Sequence, residues 1–124
     1  MSFCQESTRF CNYSRERFGR EITFIKPHWY DDAAMSVQTT FESALSYAEG
    51  TYFYLLDHQH TPQQARQVLP NALKTEICIS GMYDAWEHFM ELRYFGKTGK
   101  PHPDMLIVST MLKDEFGKIG VKFE

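Results

Sequence analysis

MSVQTTFESALSYAEGTYFYLLDHQ, residues 35–59, is the stretch that decides the fold class. Val37, Phe41, Ala44, Leu45, Ala48, Tyr52, Leu55 and Leu56 recur at helical steps. The spacing predicts one long helix, which Gly50 weakens without breaking. Downstream, TPQQARQVLP (residues 61–70) opens as a helix start: Thr61 can cap, Pro62 suits the first helical position, and Gln64 completes a capping box. That short helix should end near Pro70. LKTEICIS (residues 73–80) predicts a strand with Leu73, Thr75, Ile77 and Ile79 on one face, ended by Gly81. From Asp84 to Arg93 the helical period returns, with Trp86, Phe89, Met90 and Arg93 on one side. A Gly- and Lys-bearing loop spans 94–100. His102-Pro103-Asp104 then starts a last helix through Phe116, with Met105, Val108, Leu112 and Phe116 inward.

Upstream of the long helix, EITFI (residues 21–25) alternates and is β-branched or aromatic at most positions, which predicts a strand stopped by Lys26-Pro27. Residues 6–14 are expected to form a second extended piece, with Arg15–Arg20 as the turn between them and Gly19 as its flexible point. No internal repeat or low-complexity tract is present. Strands and helices mix without a regular βαβ rhythm, so the prediction is a single α+β domain over residues 1–124.

A chain of 124 residues that is 43% hydrophobic and 15% aromatic can bury one small core. It has no apolar run of membrane-spanning length and no basic leader before an apolar run, so a soluble, cytoplasmic protein with no membrane partner is expected. A formal charge of -3 at pH 7 argues against general nucleic-acid binding but allows a local anion site. Cys4, Cys11 and Cys78 are odd in number and far apart, the pattern of reduced thiols rather than of a zinc or redox motif. His58 and His60 form an H-x-H with Asp57 alongside, but no carboxylate cluster accompanies them, and a polar helix end leading into Thr61-Pro62 accounts for them better than a metal does.

If residues 4–10 are extended, Gln5, Ser7 and Arg9 share one face. An amide, a hydroxyl and a guanidinium on one side suit a phosphate or a uracil-like ring. The same alternation also describes a solvated edge strand, and spacing leaves both open. Arg66 sits inside the short helix among apolar residues, as a packed structural cation or as an anion ligand. Arg93 shares a helical face with Trp86 and Met90, where a cation needs either an aromatic partner or a buried anion.

Three segments in order carry a family resemblance. SFCQESTRF (residues 2–10) resembles the end of the signature of flavin-dependent thymidylate synthases, the thymidylate synthase complementing proteins. That signature is Arg-His-Arg, seven residues, Ser, then one residue and Arg; Ser7 falls on the Ser and Arg9 on the following Arg. Residues 10–14 and 18–25 are also similar to the family, Ala65–Pro70 matches its A-R-x-V-L-P segment, and HFMELR (residues 88–93) with His102–Met105 resembles its closing helices. The resemblance implies an α+β fold with a small, mainly antiparallel sheet, a long helix and several shorter ones. It implies methylation of dUMP to dTMP, with methylenetetrahydrofolate as carbon donor, FAD as hydride carrier and NADPH as reductant, in a homotetramer. It further implies that Gln5, Ser7, Thr8, Arg9 and Arg66 hold dUMP. Ser7 then acts as a positioning donor, and Arg93 meets the uracil edge and stabilises negative charge. Gln5 and His88 face the flavin.

The departures are specific. The Arg-His-Arg half is absent, and by this register it falls just upstream of Met1. The chain is therefore expected to be the C-terminal part of a larger catalytic domain, inactive by itself, associating as a dimer or tetramer. Cys4 replaces a common Asn, and Phe10 a common Tyr. Where the family often presents an Asn and an Arg to the flavin, this chain has Met82 and Asp84, and a carboxylate there has the wrong sign for FAD phosphates. The alternative is a non-catalytic nucleotide-binding or oligomerisation module that keeps the fold. An unrelated α+β domain requires three coincidences in order.

Overall fold

The computed structural model describes residues 1–14 and 19–124. The turn expected over Arg15–Arg20 therefore lies largely outside the described residues, as does Phe18. The elements run β1 (Ser2–Gln5), α1 (Met35–Asp57), α2 (Pro62–Ala65) continued by a 3-10 turn (Arg66–Val68), β2 (Ile77–Ser80), α3 (Tyr83–Arg93) and α4 (Pro103–Lys118). This is an α+β chain, with β1 and β2 paired as an antiparallel two-stranded sheet. Two compact units emerge: Cys4–Ile77, and Met1–Phe3 with Cys78–Glu124. Among the described residues no helix is long and apolar enough to cross a membrane.

In the Cys4–Ile77 unit, Tyr13, Ile22, Tyr52, Phe53 and Ala65 form the core cluster, with Tyr52 and Ala65 fully buried. The Tyr52 ring meets those of Tyr13 and Phe53 edge-on at 5.6 and 5.4 Å. The helical spacing of residues 35–59 is thus realised in α1, but its buried side is narrower than predicted. Val37 is 48% exposed, Ala44 is exposed, and Phe53 is buried in their stead. The capping box of α2 forms as predicted. Thr61 Oγ1 accepts from Gln64 N–H at 3.3 Å, and Thr61 N–H donates to Gln64 Oε1 at 2.9 Å.

Two predicted strands are corrected. Residues 21–25 make one isolated antiparallel bridge, Phe24 opposite Leu73, flanked by Ile25 N–H to Ala72 O and Lys74 N–H to Thr23 O. Pro27 and Pro70 supply no N–H to extend that ladder. The extended stretch near the start is Ser2–Gln5, not residues 6–14. Phe10 N–H and Cys11 N–H both donate to Ser7 O, at 3.0 and 2.9 Å, and turn the chain. Asn12 Oδ1 then accepts from Ser14 N–H at 3.0 Å, an Asx turn. On the other edge, the strand predicted for residues 73–80 is regular only over Ile77–Ser80.

The second unit is built on α3 and α4. Met90 is fully buried, and Trp86, Phe116 and Phe123 interlock, with centroids at 5.1 and 5.2 Å. The inward face of α4 differs from prediction at one position: Val108 is exposed and Ser109 is fully buried. Ser109 Oγ is 2.9 Å from Arg93 O at the end of α3 and 3.1 Å from Leu106 O. Helix carbonyls at a C-terminus lack partners of their own, so a small hydroxyl serves there better than a branched hydrocarbon.

Replacing Thr61 by Ala removes one half of the capping box and is expected to cost about 1 kcal/mol. Urea unfolding followed by far-ultraviolet circular dichroism measures this as a lower midpoint at unchanged slope.

Candidate functional site

A cleft of about 480 Å³ lies within the Cys4–Ile77 unit. Gln5, Glu6, Ser7 and Thr8 line it from one stretch of chain, and Arg66, Asn71, Leu73 and Thr75 from later ones. The first group leaves β1 and enters the turn closed on Ser7 O, which brings Ser7 and Thr8 in together. Arg66 follows the fully buried Ala65, so core packing fixes where its backbone stands. Its Nη1 donates to Thr8 Oγ1 at 3.2 Å. Gln5 Nε2 reaches toward Thr75 Oγ1 at 3.5 Å, at the outer limit of a hydrogen bond.

The alternation expected to align Gln5, Ser7 and Arg9 does not hold, because the turn interrupts the strand. Gln5, Ser7, Thr8 and Arg66 come together in the cleft, whereas Arg9 is not among the residues lining it. Arg9 Nε donates to Gln63 Oε1 at 2.8 Å, and its guanidinium carbon lies 5.2 Å from the centre of the Phe10 ring. Ser7 Oγ accepts from Arg9 N–H at 3.3 Å.

Among the described residues lining it, the cleft carries one cation, Arg66, and one carboxylate, Glu6. Glu6 also borders a small cavity of about 60 Å³ shared with Tyr13, Glu21, Thr23 and Lys74. Burial foremost, and then the Glu6 charge, push the Tyr13 phenol from 10.0 up to about 12. The carboxylate is thus tied to the core as well as to the cleft. Sequence reasoning passed over Glu6, Asn71 and Thr75. The alternation from Leu73 already places Thr75 on the Leu73 side of its segment, but nothing local marks Asn71 or Glu6.

The remaining candidates belong to the second unit. Arg93 is exposed, so the cost of burying a cation, on which its two alternative roles turned, does not arise; its carbonyl is held by Ser109. His88 is largely exposed, with Nδ1 3.5 Å from Glu91 Oε2. Glu91 is held below the usual carboxylate range, chiefly by its hydrogen bond from Lys97, with His88 contributing less. At the start of α3 Met82 is 79% exposed, and Asp84 Oδ1 accepts from Ala85 N–H at 2.8 Å. A carboxylate occupying that first turn does not fit a pyrophosphate. In the first unit, Asp57 pairs with Arg20, and His58 Nδ1 lies 2.8 Å from Tyr54 O with the two rings stacked at 4.0 Å.

The sequence profile of the family described as thymidylate synthase complementing protein matches residues 1–109. The chain belongs to this family. A flavin-dependent thymidylate synthase of Mycobacterium bovis (strain BCG / Pasteur 1173P2) is 34% identical over 70 residues, 53% of this chain and 28% of the relative. The same figures hold for that of Mycobacterium tuberculosis (strain ATCC 25177 / H37Ra). The protein of the same name from Mycobacterium marinum (strain ATCC BAA-535 / M) is 49% identical over 39 residues, 32% of this chain and 16% of the relative. The matched stretch thus covers 28% of the length of the first two thymidylate synthase relatives.

The raised Tyr13 phenol yields a pH prediction for this family member. The fold favours the neutral phenol, so its contribution to stability is complete below pH 10 and lost as pH rises toward about 12. The urea midpoint is expected to fall across that window, and Tyr13→Phe to flatten the fall. An equal fall in both proteins would contradict the assignment.

Proposed function

We propose that this chain carries the nucleotide-holding part of a flavin-dependent thymidylate synthase. One observation carries the reading. Thr8 and Arg66, 58 residues apart, come from two separate family segments and share a hydrogen bond in one polar cleft. A guanidinium, three hydroxyls and two carboxamides in one place suit a phosphate ester with a sugar and a polar ring. In this reading Ser7, Thr8 and Arg66 meet the dUMP phosphate, with Arg9 in support, and Gln5 meets the polar part of the nucleotide. The proposed reaction is methylation of dUMP to dTMP, with methylenetetrahydrofolate as carbon donor and NADPH as reductant.

FAD is proposed for the whole enzyme, where it supplies hydride transfer. Gln5 and His88 are this chain's proposed contributions to it, and Arg93 its proposed group at the uracil edge, a preorganised cation where charge develops. These roles rest on the family segments alone. Because the first turn of α3 does not fit a pyrophosphate, the flavin needs groups beyond those described, and this chain alone is expected not to turn over. A soluble, cytoplasmic homo-oligomer, tetrameric as in the family resemblance or dimeric for this chain, belongs to the same proposal. Met82 and Asp84 favour one second reading, a nucleotide-binding or oligomerisation module without flavin chemistry.

Calorimetry separates these. The chain is expected to bind dUMP more tightly than deoxyuridine, and Arg66→Ala to weaken dUMP roughly 10- to 100-fold while leaving deoxyuridine little changed. Equal loss for both ligands would remove the phosphate from Arg66. Tritium release from labelled dUMP, with FAD, NADPH and methylenetetrahydrofolate present, is expected to stay at background. Release by the isolated chain would overturn the inactive assignment and the second reading together.

A further inference from the structure

Arg9 stands beside the cleft without lining it, although Thr8, its neighbour in the chain, does line it. Consecutive Cα atoms are about 3.8 Å apart, so the Arg9 backbone stands next to a cleft residue, and its long side chain has the ligand space within reach although the backbone turn directs it away. What holds it outside is the Nε bond to Gln63 Oε1 at 2.8 Å and the contact with the Phe10 ring. Both partners are uncharged, so neither neutralises the guanidinium.

The charge inside the cleft makes this placement consequential. Arg66 contributes one positive charge and Glu6 one negative, so the two cancel formally. A phosphate monoester carries about -1.5 to -2 at neutral pH. Arg66 with neutral hydroxyls suits a monoanion or a neutral polar ligand; a dianion calls for a second cation. Arg9 is the adjacent candidate, and Gln63 competes with the ligand for it.

We propose that Gln63 is a positioning residue that parks Arg9, and that release of this latch sets the affinity of the cleft for a dianionic phosphate. The inference rests on the cleft being the phosphate site of the preceding subsection. Gln63 is exposed and sits in the first turn of α2, where neither Leu nor Glu disturbs the buried Ala65. Gln63→Leu removes the acceptor and frees Arg9. Gln63→Glu replaces a neutral acceptor by an ionic one and holds Arg9 harder.

The test is calorimetric titration of dUMP and of deoxyuridine into the wild-type chain, Gln63→Leu, Gln63→Glu, and the same two substitutions in an Arg9→Ala background. Circular dichroism and melting confirm that each variant folds. Affinity for dUMP is expected to rise about threefold to tenfold in Gln63→Leu and to fall about tenfold in Gln63→Glu, a range typical of single charge-assisted hydrogen bonds. Deoxyuridine should bind alike in all, and both effects should vanish without Arg9. Unchanged dUMP affinity in the two Gln63 variants would overturn the latch while leaving the phosphate site standing. So would shifts that persist in Arg9→Ala, or that affect deoxyuridine equally. A wild-type chain that binds neither ligand at millimolar concentration would overturn the phosphate site and the latch with it.

Discussion

The burial of Ala65 is the constraint on which the cleft depends. It lies fully enclosed in the cluster of Tyr13, Ile22, Tyr52 and Phe53, and the next residue in the chain is Arg66. A larger side chain at 65 would push the short helix off the aromatic cluster, because close-packed interiors do not absorb extra methylenes without displacement. The displacement would be passed directly to the guanidinium. The capping box at Thr61 and Gln64 fixes where the helix begins, and Pro70 marks where the segment leaves it, so Arg66 is located from both ends. A long, flexible cation is thus held at one end by core packing and at the other by the Thr8 hydroxyl.

The opposite wall is set by different means. Ser7 and Thr8 are placed by backbone hydrogen bonds to the Ser7 carbonyl, which end the strand and bend the chain. A continued strand would have put Ser7 and Arg9 on one face and Thr8 on the other. The turn gives Thr8 to the cleft and takes Arg9 from it. The charge lining the cleft therefore follows from one backbone turn as much as from residue identity. The Glu6 carboxylate, linked to the buried Tyr13 phenol, keeps the cleft from being simply basic.

Much of the helical architecture was readable from spacing: α1, the capped start of α2, α3 and α4 all lie where the apolar period places them. Helix existence depends on local pattern, which a sequence displays. Two kinds of feature were not readable. The segment at 21–25 has every local mark of a strand yet, among the described residues, finds only Leu73 to bridge, because pairing depends on what lies opposite it. Ser109 took the place predicted for Val108 because an unsatisfied carbonyl of Arg93, from another helix, needed a donor. In the cleft, Ser7, Thr8 and Arg66 were marked by the family segments, while Asn71, Thr75 and Glu6 enter through tertiary placement that no spacing records.

The division of the chain bears on where the departures expected from the resemblance fall. Every residue lining the cleft lies within Cys4–Ile77, a unit with its own aromatic core. Met82 and Asp84 lie in the other unit, on or beside α3, whose packing rests on Met90, Trp86 and Phe116. A substitution at the exposed start of α3 leaves the Ala65 cluster and the Thr8–Arg66 bond without a reason to change. Groups held by separate cores can diverge separately, because cooperative packing transmits strain within a core far more than beyond it. The Thr8–Arg66 bond and the first turn of α3 are thus stabilised by different sets of side chains, and a change in one set has no packed route into the other's core.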